Sequence, residues 1–405
     1  MKKVYLLSNS YLPEFGGLVS YLHNVSGILK SEYKSKYDVE IITLTNKDLN
    51  PTEIINGVKV NRVNFKKKFI FQYLFSPFNT VNKIKSFFNS HIEKDALFIT
   101  RHFYFAYILG KLYPENSIYL VPVIAPKLQK IHESQVKWIK KIYFKIISPQ
   151  IHYIEKKAIT SGMNIAVLSE SKRSELSDFY NVPRDRIIVV PPGVDIKRFR
   201  PIKSTDEKNK ILKKISRTND ENKFLLLSVC RLSKEKNLQL LINTMDKLRH
   251  ENVILYIVGS GDMELELKQQ VINKGLQDHI IFFGQRSDVE DFYRIANLFI
   301  LPSVYEGFGH VFLEALSSGT PCIGLKSSPP NVITATDEII NNNLNGFIIN
   351  NNSQELTDVV KQNLIQINAL LKMREHSREV ILEKFTWNKH INTILHILGE
   401  KIDSN

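Results

Sequence analysis

Two glutamates eight positions apart, Glu306 and Glu314, stand in a glycine-containing and otherwise apolar segment. Gly307 and Gly309 allow a tight turn that exposes backbone N–H groups toward a ligand. A helix that begins near Gly309 or His310 presents its positive end to an anion. A carboxylate at Glu314 can accept hydrogen bonds from two adjacent hydroxyls, as ribose presents them. A lone helical glutamate is usually a solvated surface residue, but the Leu and Ala neighbours favour a binding role here.

A pair of cations, Arg231 and Lys236, directly follows the apolar run 224–229. Ligands of open α/β sheets bind at the carboxyl ends of the strands, and two cations beside a helix amino terminus suit a pyrophosphate. Taken alone, the pair is explained equally well as two solvated surface residues without a ligand. The run Gly259–Gly261 is similar to a dinucleotide fingerprint, but Glu264 replaces its third glycine. A plain strand-to-helix turn is therefore the favoured interpretation of this run.

These candidates lie in a regular alternation of strand-like and helix-like segments. Such alternation predicts βαβ units and mostly parallel sheets. The predicted strands are Val4–Leu7, Asp38–Thr45, Leu97–Thr100, Ser117–Val123, Asn164–Ser169, Arg186–Val190, Phe224–Val229, Val253–Val258, His279–Phe283, Leu298–Leu301 and Thr320–Gly324. The break at Pro191–Gly193 and the charged stretch 197–223 predict an inter-domain linker. The sequence thus indicates two α/β domains in tandem.

Length and composition agree with two globular domains. The 405 residues exceed the size of one core, and hydrophobic residues make up 43% of the chain. No apolar stretch is long enough for a transmembrane helix, the N-terminus lacks a signal peptide pattern, and two cysteines cannot form a disulfide framework. We therefore expect a cytoplasmic protein.

The net charge of +14 is unevenly distributed along the chain. Residues 1–195 contain 28 Lys+Arg and 16 Asp+Glu, a net charge of +12, whereas residues 196–405 contain 27 and 25, a net charge of +2. This asymmetry predicts an anionic partner for the first half: a nucleic acid, a membrane surface or a phosphorylated substrate.

Five motifs in order along nearly the whole chain resemble the retaining glycosyltransferases of family 4, which have the two-domain GT-B fold. The motifs are the glycine loop Leu12–Gly17, the inter-domain segment Pro192–Pro201, the pair Arg231 and Lys236, the pair Glu306 and Glu314, and the start of the terminal helix at Phe385–His390. The resemblance implies two Rossmann-like domains facing a cleft: an acceptor-binding domain at 1–195, a nucleotide-sugar domain at 196–385, and a terminal helix at 386–405 that crosses back.

The resemblance also implies a role for each matching residue. Glu314 would hold the nucleotide ribose and Glu306 the donor sugar, while Arg231 and Lys236 would neutralise the departing diphosphate. Further donor contacts would come from Gly16, Gly17, Gly259, Gly307, Phe308, Gly309, Gln285 and Arg286. The expected reaction moves a hexosyl group with retention of configuration, and it uses a nucleotide-sugar, such as a UDP-sugar, as co-substrate. No Asp-x-Asp motif occurs, so neither a metal nor another cofactor is expected.

The sequence departs from the family at a position that matters for catalysis. Many members carry a histidine after the strand that corresponds to 117–123, whereas this chain reads Val121-Pro-Val-Ile-Ala-Pro126. His102, after the predicted strand 97–100, is the nearest substitute, although a satisfied histidine beside an aromatic helix explains it equally well. Cys230 stands where many members have glycine, and the loop 326–338 replaces a Gly-Gly-x-Pro-Glu stretch.

The basic first half suggests where the acceptor is found. Residues 127–148 predict a helix with an apolar stripe and six lysines, and Lys66–Lys68 with Phe69–Phe71 could add a second contact. Such a helix can lie on an anionic membrane, or it can pack on the sheet with its lysines solvated. Lipid-linked or sugar acceptors in bacterial cell-surface polysaccharide or glycolipid synthesis are expected. A GT-B epimerase or phosphorylase and a nucleic-acid-binding protein remain alternatives, although no nucleic-acid-binding signature is found.

Overall fold

The chain divides into two compact units. The computed structural model describes residues 1–14, 16–65, 76–127, 138–215 and 222–400. Unit 1 contains Met1–Pro191 and Trp387–Asn405, and unit 2 contains Pro192–Thr386. The sequence places the divisions near these points, after residues 195 and 385. The predicted fold class, two α/β domains built on mostly parallel sheets, is confirmed.

The described part of unit 1 contains an eight-stranded sheet. Its strands are β1 (Lys2–Ser8), β2 (Tyr37–Thr45), β3 (Thr52–Ile55), β4 (Val58–Asn64), β5 (Leu97–Thr100), β6 (Ser117–Leu120), β7 (Asn164–Val167) and β8 (Ile187–Val189). They lie in the order β3-β4-β2-β1-β5-β6-β7-β8. Pairing is parallel except between β3 and β4. The strand order reverses between β1 and β5, which makes this the topological switch point of the sheet.

The β3–β4 hairpin is absent from the sequence prediction. Asn56 and Gly57 join the two strands with positive φ values of 51° and 73°. An Asn-Gly pair in this conformation is the preferred two-residue hairpin turn. The signal was therefore present in the sequence, but β3 carries little apolar alternation because it is a mostly exposed edge strand.

Helices cover both sheets. Those of unit 1 are α1 (Gly17–Glu32), α2 (Ser76–His91), α3 (Phe103–Leu112), α4 (Trp138–Ile159) and α5 (Glu170–Tyr180). Those of unit 2 are α6 (Thr205–Ile215), α7 (Leu238–Lys247), α8 (Glu264–Asn273), α9 (Val289–Ile295), α10 (His310–Ser317), α11 (Thr336–Ile339), α12 (Ser353–Ile365) and α13 (Ile367–Lys384). Central strands such as β5 and β6 are buried at every residue, as expected when helices cover both faces.

The described part of unit 2 contains a six-stranded parallel sheet. Its strands are β9 (Phe224–Val229), β10 (Val253–Val258), β11 (Ile280–Gly284), β12 (Leu298–Leu301), β13 (Cys322–Leu325) and β14 (Gly346–Ile349). The order is β11-β10-β9-β12-β13-β14, so the switch point lies between β9 and β12. The predicted strands at 224–229, 253–258 and 298–301 have the observed bounds, whereas β14 was not predicted.

The predicted linker at 197–223 is wrong. Helix α6 occupies its centre and belongs to unit 2, where Ile211 and Ile215 are buried. Lys214 also pairs with Asp288 and Asp291 at 2.7 and 3.0 Å. The high charge of the segment reflects the solvated face of an amphipathic helix, whose two buried apolar residues were too few to reveal it.

The terminal helix α14 (Trp387–Ile397) belongs to unit 1. Its buried face includes Trp387, Ile391 and Ile394. The His390 ring joins the Tyr21 hydroxyl of α1 at 2.9 Å through Nε2 and the Pro191 carbonyl at 2.7 Å through Nδ1. These contacts attach the end of the chain to the first helix of the fold.

The predicted basic helix, residues 127–148, lies only partly within the described residues. Residues 128–137 and the segment 66–71 lie outside the described residues, and α4 begins at Trp138. None of the described helices is long and apolar enough to cross a lipid bilayer.

Candidate functional site

The loops that follow β9 and β12 bring the strongest predicted residues together at the switch point of unit 2. After β9, residues Lys234–Lys236 form one turn of 3₁₀ helix before α7. After β12, the Val304 N–H donates to the Glu235 carbonyl at 2.9 Å, and the Glu306 N–H donates to the Ile333 carbonyl at 2.9 Å. The first bond joins the two loops at the carboxyl edge of the sheet, and the second joins the loop after β12 to the segment after β13.

Lys236 and Glu306 form an ion pair at this edge. The Lys236 Nζ lies 2.5 Å from Glu306 Oε2, and the two side chains are only 15% and 19% exposed. Low exposure limits screening by water, so this pair is stronger than an ordinary surface salt bridge. The structure thus joins two residues that the sequence separates by 70 positions.

Arg231 lies beside this pair and is open to solvent. Its side chain is 70% exposed, and its guanidinium contacts Glu235 Oε1 at 3.0 Å. Ser233 Oγ donates to the same carboxylate at 2.6 Å. An exposed contact of this kind holds its arginine weakly, so the guanidinium can turn toward an anionic ligand.

Glu314 is held in the second turn of α10 by a buried tyrosine. The Tyr293 hydroxyl of α9 donates to Glu314 Oε2 at 2.8 Å. Burial raises the pKa of the Glu314 carboxyl to about 7, against the lowering effect of the Tyr293 bond and of the nearby Arg198. The carboxylate consequently changes charge near neutral pH.

The turn between β12 and α10 requires glycine at one position. Gly309 is the N-cap of α10 and has a φ of +95°, a region that side chains other than glycine rarely adopt. The Gly307 N–H donates to Glu306 Oε1 at 3.3 Å. Phe308 is buried and packs edge-on against Phe385. The predicted start of this helix at Gly309 or His310 agrees with the structure.

The glycines of the broken fingerprint serve close backbone packing. A Cβ on Gly259 would overlap the carbonyl of Cys230, and one on Gly261 would overlap the carbonyl of Leu232. Leu232 also exchanges backbone hydrogen bonds with Ser260 and Met263 at 3.0 and 2.9 Å. The loop after β10 therefore supports the loop that carries Arg231, consistent with the strand-to-helix turn favoured from the sequence.

Gln285 and Arg286 lie exposed just after β11. Arg286 makes two bonds to Asp288, at 2.9 and 2.8 Å. The segment lies at the carboxyl edge of the sheet, as the loops after β9 and β12 do.

The predicted residues of unit 1 occupy the carboxyl edge of its sheet. Gly16 and Gly17 are exposed at the start of α1, where Gly16 is the N-cap with a φ of +144°. His102 is the N-cap of α3, and its Nδ1 accepts the Tyr104 N–H at 3.3 Å. Burial lowers the pKa of His102 to about 3, so the ring is neutral at physiological pH. His102 therefore caps α3 in the structure, and its catalytic role stays a prediction.

Comparisons with known proteins agree with this architecture. The model of the family described as glycosyl transferases group 1 matches residues 209–380. An uncharacterized glycosyltransferase of Methanocaldococcus jannaschii is 26% identical over 95% of both chains. The alpha-monoglucosyldiacylglycerol synthase of Streptococcus pneumoniae is 28% identical over 79% of this chain and 70% of its own. Anabaena HepE, solved with UDP and glucose, superposes with a TM-score of 0.73 at 16% identity, over 99% and 100% of the two chains.

This chain is a glycosyltransferase of the GT-B class. The matched region 209–380 contains all of Arg231, Lys236, Glu306 and Glu314. The family resemblance read from the sequence is thus confirmed at the level of fold and class.

Two residues of the candidate site were not found from the sequence. Tyr293 and Glu235 bond directly to Glu314 and Arg231, yet no local motif marks either residue. Tyr293 is 21 positions from its partner and reads as one more apolar residue of α9. Among the described residues, the glycosyltransferase has no cluster of His, Cys, Asp or Glu that could hold a metal ion.

Proposed function

We propose that the protein transfers a hexosyl group from a nucleotide-sugar to an acceptor hydroxyl with retention of configuration. One observation carries the proposal: the Lys236–Glu306 pair and the exposed Arg231 lie together at the switch point of the donor-type sheet, where α/β proteins bind nucleotides. UDP is the favoured nucleotide, since HepE of the same fold was solved with UDP-glucose.

In this proposal the leaving diphosphate meets the cations Arg231 and Lys236. Lys236 exchanges the Glu306 carboxylate for a phosphate oxygen, and Arg231 turns from Glu235 toward the same group. Charge that develops on the leaving oxygen is stabilised by these two cations and by the amino end of α10. The freed Glu306 contacts the donor sugar, Glu314 accepts hydrogen bonds from the ribose hydroxyls, and no metal is required. The departing phosphate oxygen takes the proton of the attacking hydroxyl.

The remaining predicted residues have supporting roles in the proposal. Backbone N–H groups of Gly307 and Gly309 contribute to the donor site, and the segment of Gln285 and Arg286 contacts the base. Gly259 supports the Arg231 loop, while Gly16 and Gly17 form the N-terminus of α1 in unit 1. His102 is a weaker candidate for catalysis, because its Nδ1 is already engaged as a helix cap.

A donor screen tests the proposal. Hydrolysis and thermal-shift measurements with UDP-, GDP- and ADP-sugars should identify one nucleotide that raises the unfolding temperature and is slowly hydrolysed. Release of free nucleoside diphosphate should rise when the acceptor is added. Release that does not depend on an acceptor favours the epimerase alternative, and a lack of response to every nucleotide contradicts the proposal.

The acceptor is proposed to be lipid-linked and presented at an anionic membrane, as part of cell-surface polysaccharide or glycolipid synthesis. The similarity to a glycolipid synthase supports this view. So does α4, whose Ile147, Ile154 and Ala158 are buried while Ile142 and Ile146 are 51% and 41% exposed.

The exposed face of α4 is both apolar and basic. Tyr153 continues the line of Ile142 and Ile146, and Lys145, Lys156 and Lys157 are exposed around it. Apolar residues flanked by lysines are typical of helices that lie at the surface of anionic membranes. Binding of a nucleic acid would account for the exposed lysines of α4 but not for the exposed apolar residues Ile142, Ile146 and Tyr153.

A further inference from the structure

Arg101 lies at the topological switch point of unit 1. It directly follows β5, and its N–H donates to the Leu7 carbonyl of β1 at 2.9 Å, so it extends the pairing between these two strands. The switch point between β1 and β5 is the place where an open α/β sheet leaves room for a ligand. Arg101 thus lies at the switch point of unit 1, as the loops that carry Arg231 and Glu306 lie at the switch point of unit 2.

The guanidinium of Arg101 is buried without an anionic partner. The residue is 4% exposed, its Nε has no hydrogen-bond partner, and no carboxylate in the described part of the chain lies within ion-pair distance of it. Arg62, the other deeply buried arginine of the described residues, contacts Glu53 and the Leu12 carbonyl. A buried charge without a partner destabilises a fold, so such groups are retained where they serve function.

An aromatic ring packs on this cation without neutralising it. The guanidinium carbon lies 4.3 Å from the centre of the Tyr21 ring, a cation–π contact. Burial lowers the pKa of Arg101 to about 10, with Tyr21 and Tyr119 acting in the opposite direction. The side chain therefore keeps its positive charge at neutral pH.

The amino end of α1 adds to the positive potential. Tyr21, which contacts Arg101, lies in the second turn of α1, so the first turn is close to the guanidinium. That first turn contains no acidic residue, and its N-cap Gly16 offers no capping side chain. The positive end of this 16-residue helix is therefore not compensated by its own sequence.

We propose that Arg101 binds a phosphate group of the acceptor substrate. The inference rests on the proposed function in assigning the anion to the acceptor rather than to the donor. A guanidinium presents a fork of donors that fits two phosphate oxygens, and a phosphate would supply the counter-charge that the described residues do not. Recognition of the acceptor thus depends on its anionic group as well as on its hydroxyl.

The test uses the full-length protein with saturating UDP, which occupies the donor site and leaves any second phosphate site free. Inorganic phosphate, acetate and the soluble dihexanoylphosphatidic acid are titrated while the unfolding temperature is followed. Phosphate should raise the unfolding temperature of the wild type, and Arg101→Met should weaken the response by about tenfold or more in dissociation constant. Arg184→Met, which removes an exposed cation from the same unit, is the matched control and should respond as the wild type does.

The outcomes separate the possible explanations. A phosphate response that survives in Arg101→Met, or an equal response to acetate, overturns the assignment. A stronger response to the phosphatidic acid than to phosphate identifies a lipid-borne phosphate, whereas equal responses identify a soluble phosphorylated acceptor. If UDP itself fails to raise the unfolding temperature, the proposed donor function fails, and the phosphate titration without UDP still tests Arg101.

Stability gives an independent readout. Replacing a buried cation that has no partner by an apolar side chain of similar length should leave the unfolding temperature unchanged or higher without ligand. A marked loss of stability in Arg101→Met would instead mean that the arginine serves packing through Tyr21. Arg101→Lys then distinguishes the two cases, because it keeps the charge but loses the planar fork and should recover only part of the phosphate response.

Discussion

Glu314 has a charge that depends on pH in the neutral range, and this residue gives the sharpest test of the donor site. Its pKa is raised to about 7 by burial, from an ordinary value of 4.5. Because the folded state holds the proton more tightly than the unfolded state does, the free energy of unfolding falls as the pH rises from about 4.5 to 7. Ribose hydroxyls that donate to Glu314 favour the ionised form and should reverse part of that loss of stability.

We therefore predict that UDP binding releases a proton near pH 7. Affinity should be constant above this pH and fall below it, by up to about tenfold for each pH unit. Calorimetry in buffers of different ionisation enthalpy measures the proton released. Glu314→Gln should abolish the release attributable to this group, and Glu314→Ala should weaken UDP binding by roughly 1.5–3 kcal/mol. Unchanged affinity in a folded Glu314→Ala protein would remove this residue from the site.

The second prediction at the residue scale concerns the cations after β9. Arg231→Ala and Lys236→Ala should each lower turnover by about 10²-fold, the scale for the loss of one preorganised charge. Lys234→Ala, an exposed cation of the same 3₁₀ turn, should have little effect. Lys236→Ala should also reduce stability, because it leaves the poorly exposed Glu306 without its partner, whereas Arg231→Ala should not.

EDTA adds a test of the metal-free mechanism with the same assay. Activity should persist when divalent cations are removed, since Arg231 and Lys236 carry the charge that a metal supplies elsewhere. Strong inhibition by EDTA that magnesium or manganese restores would show that the cations are insufficient.

At the scale of elements, the loop after β10 supports the loop after β9. Gly259→Ala should cost several kcal/mol of stability, because its Cβ would overlap the Cys230 carbonyl, and it should also weaken UDP binding by displacing Arg231. Gly275→Ala is the control, since it has a positive φ of 66° but no atom within 4 Å. Denaturant unfolding and UDP titration of both variants separate the effect of steric overlap from that of backbone strain. Equal losses of stability in the two variants would contradict the packing argument.

Helix α4 should recruit the protein to membranes. We expect binding to anionic vesicles, little binding to neutral ones, and release by salt as the charges are screened. The double change Ile142→Glu and Ile146→Glu should abolish flotation with vesicles without loss of stability, because both residues are exposed.

The matched control changes two exposed leucines of α13 in unit 2, Leu371→Glu and Leu382→Glu. This variant should bind anionic vesicles as the wild type does. If the wild type shows no binding at low salt, the acceptor is soluble and the basic face is merely solvated.

At the scale of the whole molecule, the C-terminal helix α14 completes the core of unit 1. A chain that stops at Thr386 loses Trp387, Ile391 and Ile394 from the interior of unit 1, together with the bond from His390 to Tyr21. Each buried apolar side chain contributes about 1.5–3 kcal/mol, so unit 1 should be severely destabilised. Unit 2 contains none of these contacts and should keep its response to UDP.

Scanning calorimetry with and without UDP measures the two effects separately. The truncated chain should lose or lower one transition and retain another that UDP raises. A chain that stops at Glu400 keeps α14 and should behave as the full-length protein. Loss of every UDP-dependent transition in the shorter chain would mean that the two units do not fold independently.

The sequence alone determined the strands of the sheet centres and the chemistry of their loops. Strands such as β9, β10 and β12 are buried on both faces by covering helices, so each reads as an unbroken apolar run with clear ends. Gly309 was likewise recognisable, because its backbone conformation excludes most other residues. The edge strand β3 escaped prediction because its partial exposure weakens the apolar pattern, whereas the mostly buried edge strand β14 escaped because it is only four residues long and begins with glycine.

Only the tertiary structure decided which charges meet. Lys236 pairs with Glu306, Tyr293 bonds Glu314, and Arg101 has no anionic partner among the described residues. The local sequence around each of these residues does not reveal which side chain lies next to it in space. Neighbouring parallel strands are joined by crossovers of a dozen or more residues, so the loops that meet at a switch point come from distant parts of the chain. The local sequence fixes the type of each side chain, but the strand order fixes its partner, its burial and hence its pKa.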